Sequence, residues 1–470
     1  MRIPGPEWSD DGGAGAITAA GGLHLYQLWL HAEYGPVVRF QLPGVGAAVS
    51  VADPVLLEAT ARIDERPAPL FEFLTPLCEA GNLQVIGAEE HGPWRRVLLE
   101  VFAGRPSHER HFGEFVSLVE GLADQWAAGA VGAAGVTRGA STVALQKDLT
   151  GLSLRMICAY ALGVGGTGEG PGGGAGGGLV VDPEKVVGAF EDVLTEHLGR
   201  IYRVAGDEHE ESAARADRAL AYLRETVDRV VAAHREGGGR PTPSTLDDKS
   251  DRSDLIRALI DSGTAPARIR DTVMVTLLAA HHTTGVAVSW TLYLLGRHPE
   301  VAERVAGELG RVLGDRSAPD YADLRRLTYL DMVLKEAMRL YPPGPYGARE
   351  TTEALRLGAY EIPAGTTLFY PFWAVHMNPD HWPEPERFDP GRFAPEAVAK
   401  RARLAYIPFG IGPRSCEGAG LAMVEAELIL AVLLKRFRFR LAPGHEVTPV
   451  ERFVLWAADD IRMTVTPRGR

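Results

Sequence analysis

Ten residues, Phe409 to Gly418 (FGIGPRSCEG), hold the densest chemistry in the chain. Glycines at 410 and 412 and a proline at 413 exclude regular helix or strand, so the backbone must turn tightly there. Cys416 follows, and GAGLAMVEAELILAVLLKRF then reads as a helix with an apolar face. A thiol just ahead of a helix N-terminus sits at the positive end of the dipole, which favours thiolate. Loop N–H groups can aim at the sulfur and tune whatever it binds. These residue types prepare a metal ligand or a nucleophile. The commoner role for a lone cysteine in such a turn is structural.

Three further groupings could do chemistry. His91 and Arg95 stand four apart on one helical face, and Glu336 and Arg339 stand three apart off an apolar one. Pairs of this kind are by default solvated and worth tenths of a kcal/mol. Asp271 to Arg297 is the longest uninterrupted helical pattern, apolar on most sides as a helix through a core would be. Thr276, Ala280, Thr283 and Ala287 form a stripe of small side chains on it. Such a stripe leaves space for something large, or serves close helix packing. His282, in AAHHTT at its centre, titrates near neutrality and can shuttle protons.

Phe409, Gly412, Arg414, Cys416 and Gly418 match F-x-x-G-x-R-x-C-x-G, and on these residues the chain resembles the cytochrome P-450 haem-thiolate monooxygenases. The resemblance implies a mainly α fold with small β-sheets. Haem b would lie between the long oxygen-binding helix and the helix following the Cys loop. It implies Cys416 as the iron ligand, whose thiolate pushes electron density to the metal, with Phe409 beside it. His91, Arg95, Arg349 and Arg414 become donors to the haem propionates, since a buried carboxylate needs charge-assisted partners. AAHHTT resembles the oxygen-activation motif A-G-x-[D/E]-T-[T/S], which puts the proton-relaying hydroxyl at Thr283. Ala280 replaces the usual glycine and His282 the usual acid, a version similar to that of sterol-demethylating members. Glu336 and Arg339 match the family's E-x-x-R, joined by Arg387 from PEPERFDPGRF as a buried brace for the thiolate loop. Leu74, Leu277, Ala280, Pro345 and Phe453 are the expected substrate pocket.

The elements that must position these residues are legible in outline. Val37–Leu42 and Ala47–Val51 read as a hairpin, and a second hairpin-like segment spans Ala359 to Leu368. Helical patterns cover His91–Phe102, Leu149–Leu162, Asp182–Leu198, Glu211–Arg235 and Leu327–Leu340. Residues 163–178 contain a formal G-x-G-x-x-G at Gly168, Gly170 and Gly173, but no strand leads into it, so it reads as a glycine-rich linker. Residues 236–253 read as a polar surface loop. Length alone would suggest two or three domains; the resemblance implies one, over 1–470.

Composition narrows the function classes. A net charge of −12 argues against nucleic acid as a partner. Three scattered cysteines, Cys78, Cys158 and Cys416, give no disulfide framework and no zinc spacing. The first residues lack both a signal-peptide pattern and an apolar run of ~20, so a cytoplasmic, bacterial-type protein without a membrane anchor is expected. No flavin or nicotinamide motif is visible. Electrons from NAD(P)H are therefore expected through separate redox proteins, a ferredoxin and its reductase, docking on Arg96, Lys400, Arg401 and Arg403. The implied activity is O2-dependent hydroxylation of an apolar small molecule in bacterial natural-product (secondary) metabolism. Oxidative coupling, desaturation, C–C cleavage and a non-catalytic haem-thiolate binding protein are the alternatives.

Overall fold

The computed structural model describes residues 2–129, 140–162, 182–202, 209–236, 255–452 and 454–468. The glycine-rich run 163–178, residues 237–253 of the polar loop and Phe453 lie outside them. The N-terminal part carries helices α1 (Ala14–Ala19), α2 (Leu23–Tyr34) and α3 (Pro54–Thr60) around strands β1 (Val37–Leu42) and β2 (Gly46–Val51). Then come α4 (Ala88–Phe102), α5 (Arg105–Gly129), β3 (Ser141–Ala144), α6 (Leu145–Leu162), α7 (Pro183–Tyr202), α8 (His209–Glu236) and α9 (Leu255–Asp261). The longest helix, α10 (Pro266–Arg297), is followed by α11 (Pro299–Leu313), α12 (Tyr321–Leu324) and α13 (Thr328–Leu340). Strands β4 (Tyr346–Glu350), β5 (Leu355–Leu357), β6 (Tyr360–Ile362) and β7 (Thr367–Pro371) lead to α14 (Phe372–His376), α15 (Pro395–Val398) and α16 (Ala419–Arg436). The chain closes on β8 (Phe437–Leu441), β9 (Pro449–Arg452), β10 (Val454–Ala457) and β11 (Arg462–Pro467). This is the mainly helical architecture with small sheets that the sequence implied.

The first hairpin has the expected register, Val37 opposite Val51 through Leu42 opposite Gly46. The segment 359–368 is not a hairpin. β6 pairs back onto β5, and β7 leaves to sit between β2 and β4 in the four-stranded sheet β1-β2-β7-β4. All five residues of β7 are buried, and a strand buried on both faces belongs inside a sheet rather than at its edge. The pattern also under-reads two helix starts. α4 begins at Ala88, with Glu89 and Glu90 favoured by the dipole of its first turn, and α10 begins at Pro266, where proline suits the first helical position.

α10 spans about 48 Å at 1.5 Å per residue. It is apolar nearly all round because α6, α8, α13, α16 and β8 all pack against it. α6 crosses most closely at Gly285, where an added Cβ would stand 2.7 Å from the Leu149–Thr150 backbone. Close helix packing is therefore concentrated at Gly285, and the Thr276–Ala280–Thr283 stripe is left for something else.

Candidate active site

The loop before α16 is held by its backbone. Gly410 and Gly412 have φ of 74° and 65°, left-handed values that glycine adopts without strain. Gly412 also has no room for a side chain, since a Cβ would fall 1.9 Å from the Ala61 carbonyl oxygen. The Cys416 N–H donates to the Phe409 carbonyl at 2.8 Å, closing the turn that aims the thiol. Phe409 itself is half-buried against the main core.

Cys416, Gly418, Leu421 and Ala422 form one wall of a partly open cavity. Thr276, Ala279, Ala280, Thr283 and Thr284 of α10 form the opposite wall, with Leu83, Gln84, Leu98, Phe102 and Ile157 closing the sides. Cys416 and Thr283 are thus brought to the same space from 133 residues apart in sequence. The Thr283 hydroxyl donates to the Ala279 carbonyl at 2.8 Å.

The thiol itself departs from expectation. The Cys416 side chain is exposed, yet desolvation by the surrounding protein, reinforced by Glu417, pushes its thiol up to about 12, and the Gly418 N–H only partly opposes this. That direction opposes the helix dipole, so thiolate at Cys416 would be favoured by a cation taking the proton's place. Among the described residues no cluster of three or more His, Cys, Asp or Glu could hold a metal ion. A metal at Cys416 must therefore bring most of its ligands with it.

Beside the loop stands a cradle of cations. Arg414 donates to the carbonyls of Asp64, Leu83 and Ile86 at 2.7–2.8 Å and pairs with Asp64 Oδ1 at 2.5 Å. Arg349 donates to Ile63, Ala348 and Ile411 carbonyls. Arg95 donates to the Ser415 carbonyl at 2.6 Å and pairs with Glu417, tying α4 to the cysteine loop. His91 Nδ1 lies 2.9 Å from Asp64 Oδ1; burial first, and then Arg414 and Arg95, hold its pKa low despite that carboxylate.

The sequence reading missed a fourth arginine. Arg66 is buried enough, and close enough to Arg349 and Arg414, for its pKa to drop to about 9. It donates to Gln84 and lies 4.5 Å over the Phe71 ring. Its signal was weak, a single arginine ahead of a proline. Arg66 Nε and His91 Nε2 are buried with no protein partner. The unpaired buried Arg66 N–H amid excess positive charge suits a carboxylate, while His91, whose Nδ1 proton goes to Asp64, would donate from Nε2 only in its cationic form. A mostly apolar cavity, a lone thiol and this cradle together fit a haem with its two propionates.

Several expected site residues stand elsewhere. Leu74, Leu277 and Pro345 are buried, but none lines the cavity. Leu277 follows Thr276 by one residue, a turn of about 100° around the helix, which points it into the core. His282 does not line the cavity either. Its ring stacks on His281 at 4.0 Å and meets Trp456 edge-on at 5.3 Å, and burial drops its pKa to about 4.

The brace is present with a different partner. Glu336 accepts from Arg339 Nε and Nη2 at 2.7 and 2.8 Å, and both side chains are fully buried. Arg387 is 64 % exposed and pairs with Glu384, giving the brace only its carbonyl oxygen, at 3.2 Å from Arg339 Nη2. The second cation is Arg392, 3.4 Å from Glu336 Oε1. The chain turns at Asp389-Pro390, and that carries the later arginine of PEPERFDPGRF inward. Of the proposed basic patch, Arg96, Lys400 and Arg403 are exposed. Arg401 is withdrawn 4.6 Å over both the Trp382 and Phe393 rings.

A helical fold enclosing an apolar cavity, with a thiol on one side and a small-residue helix opposite, defines a cofactor-holding protein of the haem-thiolate class. The family model described as cytochrome P-450 matches residues 200–465, more than half of the chain, and the chain belongs to that family. It is 37% identical over 261 residues to cyclooctatin synthase of Streptomyces melanosporofaciens, 54% of each chain. It is 37% identical over 237 residues to cyclooctat-9-en-7-ol 5-monooxygenase of the same organism, 49% of each. The alignment thus spans about half the length of these curated relatives. The fold is similar to that in the crystal structure of the cytochrome P450DA heme domain, with a TM-score of 0.82, 23% identity, and 99% and 98% of the two chains covered.

Proposed function

We propose that this chain is a monooxygenase that hydroxylates an apolar small molecule in bacterial natural-product biosynthesis. One observation carries the reading: Cys416 and the Thr283 groove both line an apolar cavity, with a cluster of arginines, one of them with an unpaired buried N–H, beside the cysteine loop. Bound haem supplies reductive activation of O2. Cys416 Sγ would hold the iron, and Arg66, Arg95, Arg349, Arg414 and His91 would hold the propionates. Ala280, whose methyl narrows the groove, and the apolar side walls orient substrate and exclude water. Thr283, whose hydroxyl lines the cavity, would pass a proton into it on turning from the Ala279 carbonyl. The two Streptomyces relatives, named for cyclooctatin and cyclooctat-9-en-7-ol, favour an apolar natural product as substrate.

Electrons would come from NAD(P)H through a separate ferredoxin and reductase, with the whole chain acting as a single cytoplasmic domain. A groove beside the thiolate loop, lined by Arg62 and Arg403 with one acid, Glu58, supports docking of an acidic partner. Among the described helices none is long and apolar enough to cross a membrane. Coupling, desaturation or C–C cleavage is the second reading, favoured by the absence of a carboxylate on the α10 side of the cavity among the described residues.

The test is the reduced, carbon monoxide-bound spectrum followed by turnover under labelled oxygen. A far-red Soret band that is lost in Cys416→Ala, with one labelled atom in the product, is the expected result. An unlabelled product supports the second reading, and a wild type that takes up no haem overturns both.

A further inference from the structure

The F-x-x-G-x-R-x-C-x-G signature leaves the residue after the cysteine open, and this chain fills it with an acid, Glu417. Glu417 lines the cavity between Cys416 and Gly418, with its side chain 15 % exposed. Arg95 of α4 closes on it. Its Nη1 donates to the Ser415 carbonyl and to the Glu417 carboxylate, and its Nη2 donates to Ser415 Oγ at 3.1 Å. The ion pair clamps the carboxylate beside the cysteine. Gly418 then caps α16, and the positive end of that 18-residue helix also favours a negative charge just ahead of it.

The cation cluster next to the loop holds a second carboxylate, Asp64, but Arg414 and His91 take it up. Glu417 is the acid that adjoins the sulfur. Its charge acts on the Cys416 thiol more strongly than that of Arg95, and in the opposite sense, so the pair presents its negative end to the ligand. A mere tether would not need this acid, since the Ser415 carbonyl and hydroxyl already hold Arg95 to the loop.

We propose that Glu417 is a redox-tuning residue: held by Arg95, its charge makes the iron bound at Cys416 harder to reduce. The inference rests on the haem-thiolate monooxygenase reading above. Glu417 acts on one step, the passage of a single electron from the redox partner to the iron, and it exchanges no proton and forms no bond in doing so. Reduction adds negative charge where water screens little, and a carboxylate on the thiolate side opposes that charge.

The test is a spectroelectrochemical titration of the haem-loaded, substrate-free protein beside Glu417→Gln, Glu417→Asp and Ser415→Ala. Glu417→Gln keeps the length of the side chain and an acceptor for Arg95 but removes the charge. It should keep the thiolate carbon monoxide spectrum and raise the equilibrium constant for one-electron reduction about tenfold, a positive shift of about 59 mV. Glu417→Asp, which keeps the charge, should stay closer to wild type. Ser415→Ala, which removes a contact to Arg95 and no charge, should leave the potential in place. A purely structural tether would instead give similar losses of haem from Glu417→Gln and Ser415→Ala with no change in potential. A Glu417→Gln protein whose potential is unchanged or more negative overturns the proposal alone. So does one that fails to hold haem, because the acid would then serve loading rather than reduction. A wild type without the thiolate spectrum overturns the monooxygenase reading and this proposal with it.

Discussion

Glu336 and Glu425 are both removed from water, yet their surroundings give them opposite characters. Glu336 accepts from Arg339 twice, from the Asp389 N–H at 3.0 Å, and lies beside Arg392. Burial raises its pKa, but two guanidinium groups oppose that and keep a charge-paired network in place. Glu425, on α16, has one hydroxyl partner, Thr284, and no cation. A carboxylate tied by several charged donors fixes backbone; a carboxyl with a single weak partner keeps its proton and can give it up. The region behind the loop is therefore held by charge, whereas the cavity wall carries a carboxyl that burial keeps toward its neutral form.

Breaking the first region should have the larger effect. Glu336→Ala leaves the Arg339 guanidinium buried without its counter-ion, a loss of about 3–5 kcal/mol. Urea unfolding of the haem-loaded protein checks this, and a loss below about 1 kcal/mol would show the pair is dispensable. Arg392→Ala removes the weaker contact and should cost about 1–3 kcal/mol, whereas Arg387→Ala, at an exposed site, should stay within about 0.5 kcal/mol. Equal losses from the two arginines would return Arg387 to the brace.

The regions should also differ in the sign of their pH dependence. His376 lies in the brace, where its Nε2 accepts the Ile407 N–H at 2.8 Å on the approach to the thiolate loop. Burial holds it down to about 3, against 6.5 for an ordinary histidine. Between those values the unfolded chain binds the extra proton, so this contribution to stability is lost as pH falls from 6.5 toward 3. For Glu425 the native value of about 8 lies above the ordinary 4.5, the native state binds the extra proton, and stability is lost as pH rises across that window. Glu425→Gln should therefore equal wild type near pH 4.5 and exceed it at pH 8, while His376→Gln flattens the acid limb. Parallel stability curves for wild type and Glu425→Gln would mean the acid is ionised in the native state.

The same contrast explains what could be read from sequence. Cys416, Thr283 and the Glu336–Arg339 pair were legible because each depends on spacing within one loop or helix, and helical geometry converts spacing into a shared face. Arg392 was not, since choosing it over Arg387 depends on a turn at Asp389-Pro390. His282 misled because alternation around a helix says which side a residue takes but not which side faces the cavity. Glu425 did leave a trace: it lies four residues after Leu421 and three before Leu428, on the buried stripe of α16. α5 went unread although it packs on α16, and β7 was joined to the wrong neighbour, because strand pairing over more than 300 residues has no local signal.

The smallest expected effect lies on the exposed side of the braced region. Arg96 and Arg403 are solvated, so reversing their charge should leave stability within about 0.5 kcal/mol and touch neither buried carboxyl. If an acidic ferredoxin docks behind the loop, Arg96→Glu with Arg403→Glu should slow reduction several-fold at low salt, and the difference should fade as the screening length shrinks toward 8 Å at physiological ionic strength. Stopped-flow reduction across a salt series checks this. Identical rates at low salt would remove these two arginines from the docking surface. Because the brace holds the loop rigid, the effect should appear in association and not in the carbon monoxide spectrum.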